Sequence, residues 1–250
     1  MSGHSKWSTI KRKKAAMDAR RGKIFSKIIK EITVAARLGG GDEESNPRLR
    51  TAIQAAKAAN MPQANIERAI KRGTGEIPGE SYDEVIYEGY GPGGVAIMVE
   101  TLTDNKNRTV AEIRHIFSKN NGSLAGGGSV AWIFRSNGLI SVEKDNVSED
   151  DLIMIALDAG AEDIDTEGDN YEIVTSVESF EDVKRALEEN DIPYEYAEIT
   201  RLPQSTVKVE GKEAEQVLRL LEELEDHDDV QKVYSNFDID IEELKALTAS

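Results

Sequence analysis

Apolar residues recur at helical spacing in the first third of this chain and at strand spacing beyond it. From Gly22 to Leu38, Ile24, Phe25, Ile28, Ile29, Ile32, Ala35 and Ala36 fall within an arc of about 140° at 100° per residue. Lys23, Lys27, Lys30 and Arg37 fall on the opposite side. The spacing predicts an amphipathic helix, ended by Gly39-Gly40-Gly41. Asn46-Pro47 supplies the cap and first residue of a second helix, which runs to about Asn60 with Leu49, Ile53 and Ala56 inward. Pro62 opens a third helix that stops at Gly73, with Ile66, Ala69 and Ile70 on one face and Arg68, Lys71 and Arg72 on the other. Residues 1–21, MSGHSKWSTIKRKKAAMDARR, show no strong apolar stripe and read as a basic arm of the kind that orders on binding.

After a linker at Gly73–Gly79 the pattern changes. Val85–Tyr87 and Val95–Thr101 read as strands around a Gly-rich turn, Asn107–Lys119 as a helix and Val130–Phe134 as a strand. A complete β-α-β-β-α-β pass follows: strand Leu139–Val142, helix Ser148–Ala159, strands Asp163–Asp165 and Tyr171–Thr175, helix Ser179–Asn190, strand Tyr194–Ile199. Strand Thr206–Val209, helix Lys212–Glu225 and strand Val230–Tyr234 close the chain. The middle pass is a self-contained ferredoxin-like unit, and the segments on either side of it can pair into a second. Two sequential domains are the rival arrangement, but the last strand–helix–strand is too short to stand alone. The expected class is therefore α+β: an N-terminal helical domain followed by two ferredoxin-like α/β domains, one inserted in the other. The expected boundaries are 1–78, 79–134 with 203–250, and the insert 135–202.

Charge changes the picture from architecture to partner. The net charge of −16 over 250 residues hides a division. Residues 1–75 carry 17 Lys and Arg against 6 Asp and Glu, a net +11, and the rest carries 14 against 41, a net −27. A basic head on an acidic body points to a polyanionic partner for the head. The bland alternative is attraction between the two halves. The chain has no Cys, which excludes a disulfide scaffold, a thiol nucleophile and thiolate metal sites. No apolar run approaches the roughly 20 residues of a membrane span, and the N-terminus lacks the apolar core of a secretory signal, so the expected compartment is the cytoplasm.

The strongest candidate chemistry is Lys11, Arg12, Lys13 and Lys14, followed by Arg20, Arg21 and Lys23, because Lys and Arg gain affinity for phosphates by releasing condensed counterions. Lys6 and Trp7 precede the cluster, and an indole beside cations suits an unpaired base, though packing on the helical domain is an equal reading. Lys27, Lys30, Arg68, Lys71 and Arg72 complete the expected nucleic-acid contacts. The helix pair Asn46–Gly73 invites a helix-turn-helix reading, but its cations suit backbone contact better. Gly89-Tyr90-Gly91-Pro92-Gly93-Gly94 matches G-x-G-x-x-G by letters. The strand-like VAIMVET that follows offers no helix N-terminus for a pyrophosphate, so the stretch reads as a hairpin turn. Gly126-Gly127-Gly128 precedes another strand-like run and lacks the Lys-Ser/Thr of a P-loop. His4, His115 and His227 are too scattered for a metal site, no catalytic constellation emerges, and no cofactor is implied. The carboxylates from Glu143 onward read as solvated faces, with a protein partner for the acidic body as a further expectation.

SGHSKW, KAAMDARRGKIFSKIIKEI, ANMPQANIERAIKRGTG, YEGYGPGGVAIMVETLTDNKNRTVAEIRH and GSVAWIF together resemble the YebC/PmpR family over essentially the whole chain. The resemblance implies a cytoplasmic protein of three domains, helical first and then two α/β domains. It also implies a probable transcriptional regulator that binds DNA. Some members are instead described as translation factors that act on ribosomes stalled at proline-rich sequence, contacting rRNA and tRNA, and a mitochondrial branch as translational activators. Carried over as nucleic-acid contacts are Lys6, Trp7, Lys11 to Lys14, Arg20, Arg21 and Lys23. The chain departs from the family at Arg12, where a His is frequent, and at Ala125, where a Gly is frequent.

Overall fold

The computed structural model describes residues 21–248. The head is α1 (Arg21–Gly39), α2 (Pro47–Ala58) and α3 (Gln63–Gly73), with α1 packed against both of the others. Ile32, Leu49, Ile53 and Ile66 fill its core, and Ala35, Ala36, Ala56 and Ala69 let the helices approach closely. Asn46 fixes the first corner. Its side-chain oxygen accepts the Leu49 N–H at 3.0 Å, while its Nδ2 donates to the carbonyls of Ala35 and Gly40, both at 2.8 Å. One buried side chain thus caps the start of α2 and ties it to the last turns of α1 and the residue that follows.

The body contains two four-stranded sheets. β1 (Asp83–Tyr90) and β2 (Ala96–Thr103) form an antiparallel hairpin, and its connection contains a 3-10 turn at Pro92–Gly94. Gly93 and Gly94 there have φ of +69° and +78°, which glycine adopts without strain. The Gly-rich turn is the hairpin its sequence predicts. After α4 (Lys106–Lys119) and β3 (Ser123–Ala125), the chain leaves for β4 (Phe134–Glu143), α5 (Glu149–Asp158), β5 (Ala161–Asp165), β6 (Asn170–Thr175), α6 (Phe180–Glu189) and β7 (Tyr196–Pro203). These strands pair in the order β5-β6-β4-β7, all antiparallel, which is the ferredoxin-like order. Ile140, Val142, Leu152, Ile173, Val183 and Leu187 are buried between that sheet and its helices. The chain then runs through β8 (Val207–Lys208), α7 (Gly211–Asp226), β9 (Val230–Ser235), β10 (Phe237–Asp238) and α8 (Ile241–Thr248). β9 completes the first sheet, whose order is β3-β1-β2-β9. No described helix is long and apolar enough to cross a membrane.

The α+β class holds, and three details differ from the sequence reading. Of the expected strand Val130–Phe134, only Phe134 is in a strand, as the first residue of β4. Ala131–Ile133 forms a 3-10 turn, because the N–H groups of Val130 and Ala131 are taken by the Glu88 carboxylate and cannot join a ladder. The first sheet does not repeat the ferredoxin-like order of the insert, since its first half enters as a hairpin followed by α4 and β3. β8 stays out of that sheet and pairs in parallel with β10. Asn236 enforces this by exchanging hydrogen bonds with the Ala96 backbone through its own backbone and side chain, while its Nδ2 donates to the Ser205 carbonyl.

Asn46→Ala is expected to cost about 2 kcal/mol, the upper end for a lost cap, because it also removes the donor to the carbonyls of Ala35 in α1 and Gly40 just beyond it. Asn46→Asp, which keeps the acceptor and loses the donor, is expected to fall between. The midpoint of urea unfolding checks both.

Candidate nucleic-acid interface

The helix end that organises the site is the C-terminus of α7. It carries Glu222, Glu223, Glu225 and Asp226 and no basic residue in its last turn. The open carbonyls and partial negative charge of a helix C-terminus make acids unfavourable there and call for cations. α1 supplies them from one face. Lys23 Nζ donates to the Asp226 carbonyl at 3.0 Å, Lys27 Nζ to the Glu225 carbonyl at 2.6 Å, and Lys30 Nζ to the Asp228 carbonyl at 3.1 Å. Spacings of four and three residues place the three ammonium groups in a row along the helix.

The row ends on Asp229, which is 3% exposed. Its Oδ1 accepts from Lys30 Nζ at 2.6 Å, and its Oδ2 from Arg108 Nη2 at 2.6 Å and Thr109 Oγ1 at 2.7 Å. Burial works against the carboxylate, but the hydrogen bonds from Lys30, Thr109 and Arg108 outweigh it and hold its pKa well below the usual carboxylate range. The local fold prepares these donors. Asn105 caps α4 by accepting the Arg108 N–H at 3.1 Å, which sets Arg108 and Thr109 in the first turn. Arg37 and Arg48 extend the seam between head and body. Arg37 donates to Ser81 Oγ and the Tyr82 carbonyl, each at 2.6 Å, and Arg48 bridges Glu31 at 2.7 Å and Glu84 at 2.8 Å. A cleft of about 490 Å³ opens along the seam between Lys30, Tyr82, Arg108 and Asp229.

The expected contacts therefore separate into three groups. Lys6, Trp7, Lys11, Arg12, Lys13, Lys14 and Arg20 lie outside the described residues, and Arg21 is the first residue of α1. Lys23, Lys27 and Lys30 face the acidic body, so for them attraction between the halves is what the structure shows. Arg68, Lys71 and Arg72 are exposed on the outer face of α3 and form no ion pair among the described residues. Sequence reasoning missed Arg108 and Asp229. It also missed that His227 comes beside Glu112 and Asp229, in a group close enough to share an ion. The partners already present fit ion pairing better. Both Asp229 oxygens are taken by cations, His227 Nδ1 accepts the Asp229 N–H, and Nε2 meets Glu112 at 2.8 Å.

Residues 5–76 match the model of the TACO1/YebC N-terminal domain, and residues 82–237 that of the TACO1/YebC second and third domain. The chain belongs to the TACO1/YebC family. A probable transcriptional regulatory protein of Dictyoglomus thermophilum is 61% identical over 99% of this chain and 100% of its own length. One of Geobacter sulfurreducens is 58% identical over 99% of this chain and 100% of its own. A crystal structure of a conserved hypothetical protein from Aquifex aeolicus is 52% identical, with a TM-score of 0.78 over 89% of this chain and 92% of that one. Both of these TACO1/YebC relatives carry the name probable transcriptional regulatory protein.

Asp229→Asn is expected to cost about 3 kcal/mol at pH 7, because it leaves Lys30 and Arg108 without their anion. A depressed folded-state pKa contributes stability that is present above the unfolded value of about 3.9 and is lost as pH falls through the folded value. The gap between wild type and Asp229→Asn is thus expected to narrow below about pH 4, as measured by urea unfolding across pH. A gap that stays constant down to pH 2 contradicts the assignment.

Proposed function

We propose that this chain is a non-enzymatic regulator of gene expression that grips nucleic acid by its phosphates, through the basic arm and the outer face of α3. The observation that carries the reading is the division of the head's cations. Lys23, Lys27 and Lys30 of α1 are engaged with the body, whereas Arg68, Lys71 and Arg72 stay exposed, and the sequence before α1 adds Lys11, Arg12, Lys13, Lys14 and Arg20. An unscreened cation row on a chain of net charge −16 favours a polyanion at that face and repels it elsewhere. The relatives are named probable transcriptional regulatory proteins, and a role in transcription makes DNA the first polyanion to consider. The acidic body then limits contact to the head or meets a protein partner.

A second reading has its own support. A duplex-reading recognition helix contacts base edges from its N-terminal residues. The cations of α3 lie instead from its midpoint onward, at Arg68, Lys71 and Arg72. That placement suits backbone contact with irregular RNA, as in a ribosome-bound translation factor that touches rRNA and tRNA and relieves stalling at proline-rich sequence.

The triple variant Arg68→Ala, Lys71→Ala, Arg72→Ala is expected to weaken binding to any sequence and to reduce the slope of log affinity against log salt by about 2 on a single strand and about 3 on duplex DNA. Lys27→Ala is expected to leave that slope unchanged. An unaltered slope in the triple variant removes α3 from the interface.

Density-gradient sedimentation with ribosomes, using the intact chain and one lacking residues 1–21, separates the two targets. Co-sedimentation that needs the arm and resists competitor duplex supports the ribosome. Absence from ribosomes, with preference for a promoter fragment over scrambled duplex, supports DNA.

A further inference from the structure

The buried acid Glu88 is used by neither reading. Its carboxylate accepts three backbone N–H groups, from Gly128 at 2.6 Å, Val130 at 2.6 Å and Ala131 at 2.9 Å. Burial opposes its charge, and the three donors outweigh it, so its pKa lies below the ordinary value. Glu88 therefore pins the loop that follows β3 from beneath.

What the pinned loop presents is unusual. Trp132 is 71% exposed, yet its indole N–H donates to the Ser129 carbonyl at 3.0 Å. Tyr90, 37% exposed, donates its hydroxyl to the same carbonyl at 3.2 Å. The indole N–H is satisfied within the loop itself, which leaves most of the ring open to solvent. In the same loop, tied to it through Ser129, Gly126 and Gly127 are exposed, and their N–H groups donate to no described residue. A side chain at either position meets nothing within 4 Å, and neither has a left-handed φ; only Gly128, at +83°, needs glycine for its conformation. The fold does not require two bare residues there. Bare backbone in the same loop as an exposed ring has a use if a planar ligand lies against both.

We propose that Trp132 and the Gly126-Gly127 backbone form a platform for one unpaired nucleobase, which stacks on the indole while its edge accepts hydrogen bonds from the glycine N–H groups. The platform rests on the nucleic-acid reading above and adds a second contact on the body, away from the cations of α3. A base fits better than a phosphate, because the Glu88 charge lies beneath the loop. It fits better than an apolar peptide, because the exposed stretch beside Ser129 is Gly126–Gly128, which offers N–H groups rather than apolar side chains. Aromatic stacking tolerates any base, so the platform selects unpaired strands rather than a sequence.

The test uses the full chain. Trp7→Phe leaves Trp132 as the remaining tryptophan, since the chain has two. Its emission is expected to be quenched by a single-stranded adenosine-rich RNA of about a dozen nucleotides and not by a duplex of equal length. Trp132→Ala and Gly127→Val are each expected to lower affinity for the single strand about tenfold, with duplex affinity and urea midpoint unchanged. The unchanged midpoint separates a contact from a structural role. If the RNA binds without quenching and both variants bind fully, the platform is wrong while the arm-and-α3 reading stands. Equal losses on single strand and duplex also overturn the platform. Quenching by a leucine-rich peptide but not by RNA reassigns the ring to a protein partner. If the intact chain binds neither nucleic acid nor ribosomes, both proposals fall.

Discussion

A helix C-terminus rich in acids is the constraint on which the arrangement of this molecule depends. α7 ends in Glu225 and Asp226 with its carbonyls open, and the chain turns at once into Asp228 and the buried Asp229. Left alone, that end concentrates negative charge against a negative dipole. The row Lys23, Lys27 and Lys30 relieves it, and Arg108 completes the neutralisation of Asp229 from α4. The contact joins residues about 200 positions apart and so fixes how α1 lies on the body. Because α2 and α3 pack on α1, it also fixes which cations of the head face outward.

Function then follows from what that contact leaves over. A helix with cations on one side and apolar residues on the other has two chemistries to place. In α1 the apolar side meets α2 and α3, and the basic side meets the body. α3 buries Ile66 and Ala69 in the same core and leaves its basic side outward. The two helices are alike in composition and opposite in use. The body contributes one further surface, where the buried carboxylate of Glu88 holds a loop of bare backbone that also carries an exposed indole.

Much of the fold was legible because it depends on local chemistry. Asn46-Pro47 marked the start of α2 by capping and ring geometry, the 3.6-residue period marked α1 and α3, and the alternation of strands and helices gave the ferredoxin-like insert. What was not legible depends on partners distant in sequence. Nothing near Lys27 says that its partner is the carbonyl of Glu225, so it read the same as Lys71. Glu88 is one acid among many, and only its place beneath Val130 and Ala131 turns that run from strand into a 3-10 turn. Asn236 likewise diverts β8 through contacts with Ala96 and Ser205 that no spacing reveals. The arm's Lys and Arg residues stand on composition and resemblance alone.

The division of the head's cations is most directly tested by hydrogen exchange of the intact chain with and without a single-stranded RNA oligonucleotide. Slowed exchange is predicted in residues 1–20, along α3 and in the loop at residues 126–132, with α1 and the end of α7 unchanged. Protection or release confined to α1 and α7, with α3 unaffected, contradicts the division and makes the lysine row itself the nucleic-acid site.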